Sequence, residues 1–200
     1  SFGVKENNYL GRGVKVDSNI NISEERLKGK FVVSNPNYKN SDKNIDFSLE
    51  ATSTDRLGTS GYKSNVTAFS IGTQFEYLDD LNLGLSTKNS FEKISVDASA
   101  SSKQKKQDGN YFDSFIGLDF IYDKRNQKYQ TTSGFFSNYS VNMPILSDTN
   151  TLTNAYNYKI FKELYENNVS TFAFSIKGAS SLSGDDIKLS ERLYIPVRKL

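Results

Sequence analysis

The 200-residue sequence contains neither cysteine nor histidine. Without cysteine the chain forms no disulfide, so its sequence does not indicate the redox state of its compartment. The absence of histidine removes the commonest metal ligand and the commonest general base. The aspartate pairs Asp79-Asp80 and Asp185-Asp186 lie in turn-like contexts, where such residues support turns. We therefore expect a protein that is not an enzyme, with no catalytic residue, metal ligand or cofactor.

A long apolar run is also absent. No stretch approaches the ~20 apolar residues that a membrane-spanning helix needs, and the mean hydropathy is −0.57. These features exclude a transmembrane helix. They do not exclude a membrane-spanning β-barrel, because only alternate residues of its strands face lipid.

No excess of one charge marks a nucleic-acid-binding surface. The chain has 25 basic and 23 acidic residues, which are well mixed along it, so we expect no nucleic-acid partner. The one local excess, at Lys103, Lys105 and Lys106, lies between Ser-rich and Gly-containing stretches. We interpret it as a solvated loop.

Alternation of apolar and polar residues is the dominant pattern of the sequence. In residues 14–22 every second residue is apolar or small and every residue between is polar, and similar patterns recur at residues 45–52 and 116–122. A period of two indicates a β-strand with one apolar and one polar face.

Read in this way, the sequence predicts roughly ten strands and no helix. A helical period competes only near residues 156–166, where the alternation of Tyr156, Tyr158 and Ile160 with polar residues favours a strand. The predicted strands lie near residues 1–6, 13–23, 26–34, 44–53, 62–75, 81–93, 112–122, 134–143, 152–163 and 168–179.

The connections between these strands alternate roughly between compact and longer. Residues 5–12, 35–43, 77–80 and 166–168 form compact connections, whereas residues 54–61, 98–109 and the stretch after Ser180 are longer. An outer-membrane barrel has short turns on one side and long loops on the other. A soluble β-sandwich has no reason to sort its loops in this way.

The 14 Phe and 12 Tyr residues add a second indication of a membrane barrel. Many lie near strand ends, as an aromatic girdle at a membrane interface requires, although strands favour these residues in any protein. The strand-end aromatics are Tyr9, Tyr38, Tyr62, Phe75, Tyr77, Phe91, Tyr111, Phe112, Tyr122, Tyr129 and Tyr165.

Turn motifs carry the most specific signal. Asn8, Leu10, Gly11 and Gly13 lie in a tight reversal immediately before the strand at residues 14–22, where Asn tolerates left-handed geometry and Gly permits positive φ. A phosphate-binding loop is excluded because no helix follows.

This turn and the strand ending in Asn35-Pro36-Asn37-Tyr38 resemble the opening of the barrel domain of the BamA-like outer-membrane assembly proteins, the bacterial surface antigen family. Asp123, Arg125 and Gly134 fit that family's D-x-R-D…P-T-x-G turn, with Asn126 in place of the acid and Thr131 in place of the proline. Residues 141–144 resemble a strand end of the family, and residues 189–194 resemble the segment that leads into its sixth loop, whose R-G-F tripeptide would follow Leu200.

The resemblance implies an all-β fold, a partial antiparallel up-and-down transmembrane β-barrel whose strands form an open curved sheet. Residues 1–200 would then be one partial barrel domain, truncated at both ends and without a POTRA domain. It further implies a location in the bacterial outer membrane and an insertase function in the folding and membrane insertion of outer-membrane proteins. The implied partners are outer-membrane lipid, unfolded outer-membrane protein clients and accessory assembly lipoproteins.

Two alternatives remain open. One is a passive or secretion-type outer-membrane channel of the same superfamily, and the other is a soluble β-sandwich binding module. A barrel wall would place Val14, Val16, Ile20 and Ile22 on the same side as residues 45, 47 and 49, in one open sheet. We also expect sharp or positive-φ geometry at Gly11, Gly13 and Gly134.

Overall fold

The computed structural model describes residues 1–148, 150–166, 168–184 and 186–192. These residues form a ten-stranded sheet in which the strand order follows the chain and each neighbouring pair is antiparallel. The strands are β1 (Phe2–Tyr9), β2 (Val14–Ile22), β3 (Arg26–Asn35), β4 (Asn44–Arg56), β5 (Tyr62–Leu78), β6 (Leu81–Val96), β7 (Gly109–Asp123), β8 (Ser133–Ser147), β9 (Thr151–Tyr165) and β10 (Asn168–Ser181). The predicted all-β, up-and-down fold is confirmed.

In the described part of the chain, helical structure is confined to short connections. They are α1 (Leu57–Ser60), α2 (Ser102–Lys105) and a 3-10 turn at Tyr38–Asn40. Among the described residues no helix has the length and hydropathy needed to cross a membrane. The residues near 160 form a strand, as predicted, because β9 pairs there with both β8 and β10.

One face of the sheet is largely apolar. Ile20 pairs with Gly29, Gly29 with Ala51, and Ala51 with Thr67, so the apolar side chains of β2 and β4 lie on the same side, as predicted. We call this side the outer face. Its exposed apolar side chains include Ile20, Ile22, Leu27, Phe31, Leu49, Phe69, Ile71, Leu85, Phe91, Phe120, Tyr139, Ile160, Phe172, Phe174 and Ile176.

The opposite side, which we call the inner face, is polar and concave. Arg26 of β3 and Thr153 of β9 line the same cavity of about 470 Å³, so the sheet curves far enough to bring distant strands around one space. Within the described residues the strands form this single sheet, and no second sheet packs against it. The soluble β-sandwich alternative is therefore wrong.

The buried interior is unusually polar. In the described part of the chain the buried apolar residues are Tyr62, Ala68, Ile94 and Leu189, whereas the buried polar ones are Thr52, Ser64, Glu92, Asp113, Ser114, Thr151 and Lys188. A soluble domain places its apolar side chains inside, so this distribution is inverted. An exposed apolar surface of this extent marks an interaction surface for a membrane or another protein.

The connections sort onto two sides of the sheet, but not strictly by length. The compact connections predicted from the sequence all lie on one side, which we call the turn side, and the longer ones lie on the opposite loop side. Residues 124–132 are a long connection on the turn side, while residues 23–25 and 148–150 are short ones on the loop side. Strand β1 extends beyond the predicted residue 6 to Tyr9, through an irregular register.

The aromatic residues divide between the two faces. Tyr62 is buried and Tyr111 is half-buried, with its hydroxyl donating to the carbonyl of Gln107 at 2.9 Å. These two belong to the inner face and not to a girdle. On the outer face near the turn side, ring centroids lie 5.5 Å apart for Tyr122 and Phe135 and 6.0 Å apart for Phe135 and Tyr158.

Candidate functional site

Residues 186–192, which we call the inner segment, lie against the inner face of the sheet. The backbone N–H of Leu189 donates to Oε1 of Gln107 at 2.8 Å, and Ser190 Oγ donates to Oε2 of Glu92 at 2.9 Å. Leu189 is only 2% exposed. Side-chain and backbone contacts therefore fix the segment to the loop side of β6 and β7.

A buried ion cluster anchors the inner segment. Lys188 Nζ lies 2.8 Å from Oε2 of Glu92 on β6, 2.5 Å from Oδ2 of Asp113 on β7, and 3.5 Å from Oε1 of Glu191. The Lys188 side chain is 3% exposed, and its ammonium stands 5.2 Å from the centre of the Tyr111 ring. We call Glu92, Asp113, Lys188 and Glu191 the anchor cluster.

The surrounding strands donate further hydrogen bonds to Glu92 and Asp113, two of the three carboxylates in the anchor cluster. Ser64 Oγ on β5 donates to Oε1 of Glu92 at 2.5 Å, and Ser147 Oγ on β8 donates to Oδ1 of Asp113 at 2.5 Å. Four neighbouring strands thus contribute to holding one lysine. A buried ion pair is stable only when such hydrogen bonds satisfy the remaining polar atoms.

The charge state of the inner segment follows from this environment. Burial alone would lower the pKa of Lys188, but the charges of Glu92 and Glu191 and the hydrogen bonds to Asp113 and Glu92 raise it above the ordinary lysine value. Lys188 is therefore a cation at neutral pH. Burial raises the pKa of Glu191, against the opposing effect of Lys188.

A second ion pair ties the inner segment to the connection between β6 and β7. Lys103 Nζ lies 2.9 Å from Oδ1 of Asp186, and this hydrogen bond lowers the pKa of Asp186. Both side chains are about half exposed or more, so this pair contributes little to stability. One lysine of the basic run, interpreted from the sequence as purely solvated, thus has a structural partner.

The turn residues singled out in the sequence lie apart from this cluster, on the turn side. In the turn between β1 and β2, Gly13 N–H donates to Oδ1 of Asn8 at 2.6 Å, and Gly11 N–H donates to the Asn8 carbonyl at 3.0 Å. Leu10, Gly11 and Gly13 have φ of 53°, 69° and 69°. The positive φ predicted for the two glycines is present.

In the next turn along the turn side, β3 ends at Asn35 and Pro36 follows it. Asn35 forms the last pair of the ladder, with Ile45, and its Oδ1 accepts the N–H of Asn37 at 3.3 Å. Pro36 has no N–H with which to continue the ladder. The connection closes where the N–H of Tyr38 donates to the Lys43 carbonyl at 2.9 Å.

The turn between β7 and β8 brings Asp123, Arg125 and Gly134 together. Arg125 donates from Nε to Oδ1 of Asp123 at 2.8 Å and from Nη2 to Oδ2 at 2.7 Å. Gly134 has φ of 96°, and a Cβ there would stand 2.0 Å from the Lys124 carbonyl oxygen. Asn126 supplies the acceptor expected of an acid, since its Oδ1 accepts the N–H groups of Thr132 and Ser133 at 3.2 Å.

The structure therefore places the predicted turn residues in three separate turns and does not assemble them into one site. Their shared membership of family motifs stays a prediction. Among the described residues no group of acidic side chains is placed to hold a metal ion. The assembled site is the anchor cluster, with the outer apolar face behind it.

Comparison with known proteins identifies the architecture. The model of the Omp85 superfamily domain matches residues 8–196. The chain belongs to the Omp85 superfamily.

A solved structure agrees with this Omp85 assignment. The chain is similar in fold to the crystal structure of BamA from Haemophilus ducreyi lacking POTRA domains 1–3, with a TM-score of 0.80 and 15% sequence identity. The match covers 94% of this chain and 40% of that one, so this chain spans less than half of the BamA structure. A search of curated proteins finds no match.

The anchor cluster was missed by the sequence reasoning. Glu92, Asp113 and Lys188 are far apart in the sequence. Pairing of β6 with β7 places Glu92 beside Asp113, and the inner segment brings Lys188 to both of them. The sequence feature that could have indicated the cluster is Asp113, a carboxylate at an inner-face position of β7, which is otherwise rich in apolar and aromatic residues. The resemblance of residues 189–194 to the approach to the sixth loop extends to Leu193 and Tyr194, which lie outside the described residues.

Proposed function

We propose that the chain forms part of the wall of an outer-membrane insertase, a barrel that folds and inserts other outer-membrane proteins. Membership of the Omp85 superfamily over residues 8–196 and the fold shared with BamA support the proposal. Placement in the bacterial outer membrane is part of it. The observation that carries it is the inverted sheet, apolar outside and polar inside.

The mechanism proposed for this protein is not covalent. An exposed strand edge at a barrel seam would pair with an incoming client strand through main-chain hydrogen bonds, which are independent of the client side chains. The strands described here would form a rigid wall, because the long ladders from β4 to β9 pair nearly every residue. The protein would need no catalytic residue, and we propose that it is not an enzyme.

The proposed partners follow from the two faces. The outer face, with exposed side chains such as Leu49, Ile71 and Phe172, suits outer-membrane lipid. Unfolded outer-membrane proteins would be the clients, and accessory lipoproteins would bind elsewhere on the complete machine. No basic patch dominates the described surface, and we propose no nucleic-acid partner.

A passive or secretion-type channel is the second candidate. The polar inner face and its cavity of about 470 Å³ favour it, since a polar lumen is what a channel requires. The anchor cluster favours the insertase, because it holds the inner segment on the inner face, where the segment takes up part of the space that a solute would use.

Reconstitution separates the two functions. The full-length protein is placed in liposomes, an unfolded outer-membrane protein is added, and folding is followed by heat-modifiable migration and protection from protease. The insertase predicts faster client folding than in empty liposomes and little ionic conductance. Steady conductance without accelerated folding would instead establish the channel and overturn the proposal.

A further inference from the structure

A row of polar side chains crosses the outer face near the loop side. Asn65 of β5 pairs with Lys93 of β6, and Lys93 pairs with Asn110 of β7, so the three side chains stand side by side on neighbouring strands. Adjacent strands lie about 4.8 Å apart, which gives the row a span of roughly 10 Å. All three residues are exposed. They present one ammonium and two amide groups, all hydrogen-bond donors.

An aromatic row lies one step closer to the middle of the sheet. Thr67 pairs with Phe91 and Phe91 with Phe112, and the two ring centroids are 4.9 Å apart. Phe91 is 57% exposed. The polar and aromatic rows together line a surface depression of about 420 Å³.

The charges in this depression favour an anion. Among the described residues no carboxylate lies within ion-pair distance of Lys93, in contrast to Lys63, which lies 3.4 Å from Asp55. Two acidic residues, Glu92 and Asp148, also line the depression. The Glu92 carboxylate pairs with Lys188 on the inner face, and Oδ2 of Asp148 accepts the N–H of Phe112 at 2.7 Å. Lys93 is thus an unpaired cation beside an aromatic surface on the outer face.

We propose that this depression binds a phosphorylated glycolipid of the outer membrane leaflet. Lys93 pairs with a phosphate, the Asn65 and Asn110 amides donate to phosphate or sugar oxygens, and an acyl chain lies over Phe91 and Phe112. The choice of leaflet rests on the proposed function, which places the loop side outside the cell. The donor row lies at that end of β5, β6 and β7.

Native mass spectrometry of the full-length protein in detergent tests the proposal, with bis-phosphorylated lipid A, dephosphorylated lipid A and phosphatidylglycerol as probes. Loss of one charge-assisted hydrogen bond corresponds to about tenfold weaker binding. We expect Lys93→Gln to weaken lipid A binding by about that factor. Dephosphorylated lipid A should bind weakly to the unsubstituted protein.

Two further variants complete the test. Asn110→Asp places a carboxylate beside the phosphate and should weaken binding at least as much as Lys93→Gln. Lys162→Gln is the matched control, because Lys162 is an exposed residue on the same face at the opposite end of the sheet, and it should leave lipid A binding unchanged.

Equal binding by Lys93→Gln and the unsubstituted protein would overturn the proposal, as would equal loss in Lys162→Gln. Phosphatidylglycerol that binds as tightly as lipid A, and is equally sensitive to Lys93→Gln, would overturn the assignment to a glycolipid. Client folding is measured separately on the same preparations. A protein that binds lipid A at this site but does not accelerate client folding would contradict the insertase and leave the lipid site standing.

Discussion

At the scale of single residues, Lys188 forms more ion pairs than any other side chain in the described part of the chain. It is nearly fully buried and lies within ion-pair distance of Glu92, Asp113 and Glu191. Its replacement by an uncharged residue leaves buried carboxylates without a counter-charge. Breaking a buried pair in this way costs about 3–5 kcal/mol, much more than loss of an exposed pair.

The first prediction concerns release of the inner segment. Lys188→Met should expose residues 186–192 to protease in the folded full-length protein, because the unpaired carboxylates of Glu92 and Asp113 no longer favour docking. Limited proteolysis with mass mapping of the cleavage sites measures this exposure. Lys103→Gln, which removes the exposed pair with Asp186, is the control and should change protection little. A Lys188→Met protein as protected as its parent would refute the anchoring role.

Gly134 provides a second prediction at this scale. A Cβ at this position would stand 2.0 Å from the Lys124 carbonyl, at φ of 96°. We expect Gly134→Ala to destabilise the barrel by about 3 kcal/mol or more, since the backbone of the turn must move. Urea unfolding in detergent, followed by heat-modifiable migration, measures the change.

Gly13→Ala is the matched control for Gly134→Ala. Gly13 has a positive φ of 69°, but a Cβ there meets nothing within 4 Å. Only the backbone conformation is then strained, and a cost of about 1 kcal/mol is expected. Equal effects of the two substitutions would show that the close approach at Gly134 is unimportant.

At the scale of elements, sequence periodicity predicted the strands because a period of two is a local property. The residues of β2 and β4 appear on the predicted face, and the strands lie within a few residues of their predicted positions.

The anchor cluster could not be predicted in the same way. It depends on the path of the chain after β10, because residues 186–192 return to β6 and to the connection between β6 and β7, and alternation alone does not specify that path. The prediction that Tyr62 and Tyr111 belong to an aromatic girdle was wrong for a related reason. A position near a strand end does not specify on which face of the sheet a side chain lies.

The third prediction tests whether lipid contacts the outer face of the sheet or its inner face. Leu49 lies in the middle of β4 on the outer face, and Ser48 beside it lies on the inner face, where its Oγ is 2.7 Å from that of Ser70. A lysine on the lipid-facing side of a barrel costs about 2–4 kcal/mol near the bilayer midplane. Leu49→Lys should therefore reduce the folded fraction in liposomes, and Ser48→Lys should reduce it much less. A larger loss of folded protein in Ser48→Lys than in Leu49→Lys would show that lipid contacts the inner face, and it would contradict the prediction.

At the scale of the whole molecule, the two faces of the sheet differ in polarity, since exposed apolar side chains cover much of the outer face and polar side chains are buried on the inner one. The sheet has little apolar core, so hydrophobic stabilisation comes mainly from the environment of the outer face. The inner face contributes charges and hydrogen bonds, which position the inner segment. This difference between the faces makes a low mean hydropathy compatible with the membrane wall that we propose.

The last prediction concerns the pH dependence of docking for the inner segment. The pKa of Lys188 is raised above its ordinary value of 10.5, so the docked state binds this proton more tightly than the undocked state. The resulting stabilisation is fully present below 10.5 and is lost as pH rises through the raised value. Protection of residues 186–192 should therefore stay constant between about pH 7 and about pH 9, then fall above 10.5. Limited proteolysis with a protease active at alkaline pH follows the change, and Lys188→Met should lack this step. A loss of protection below pH 9, or the same alkaline step in Lys188→Met, would assign the titration to a different group.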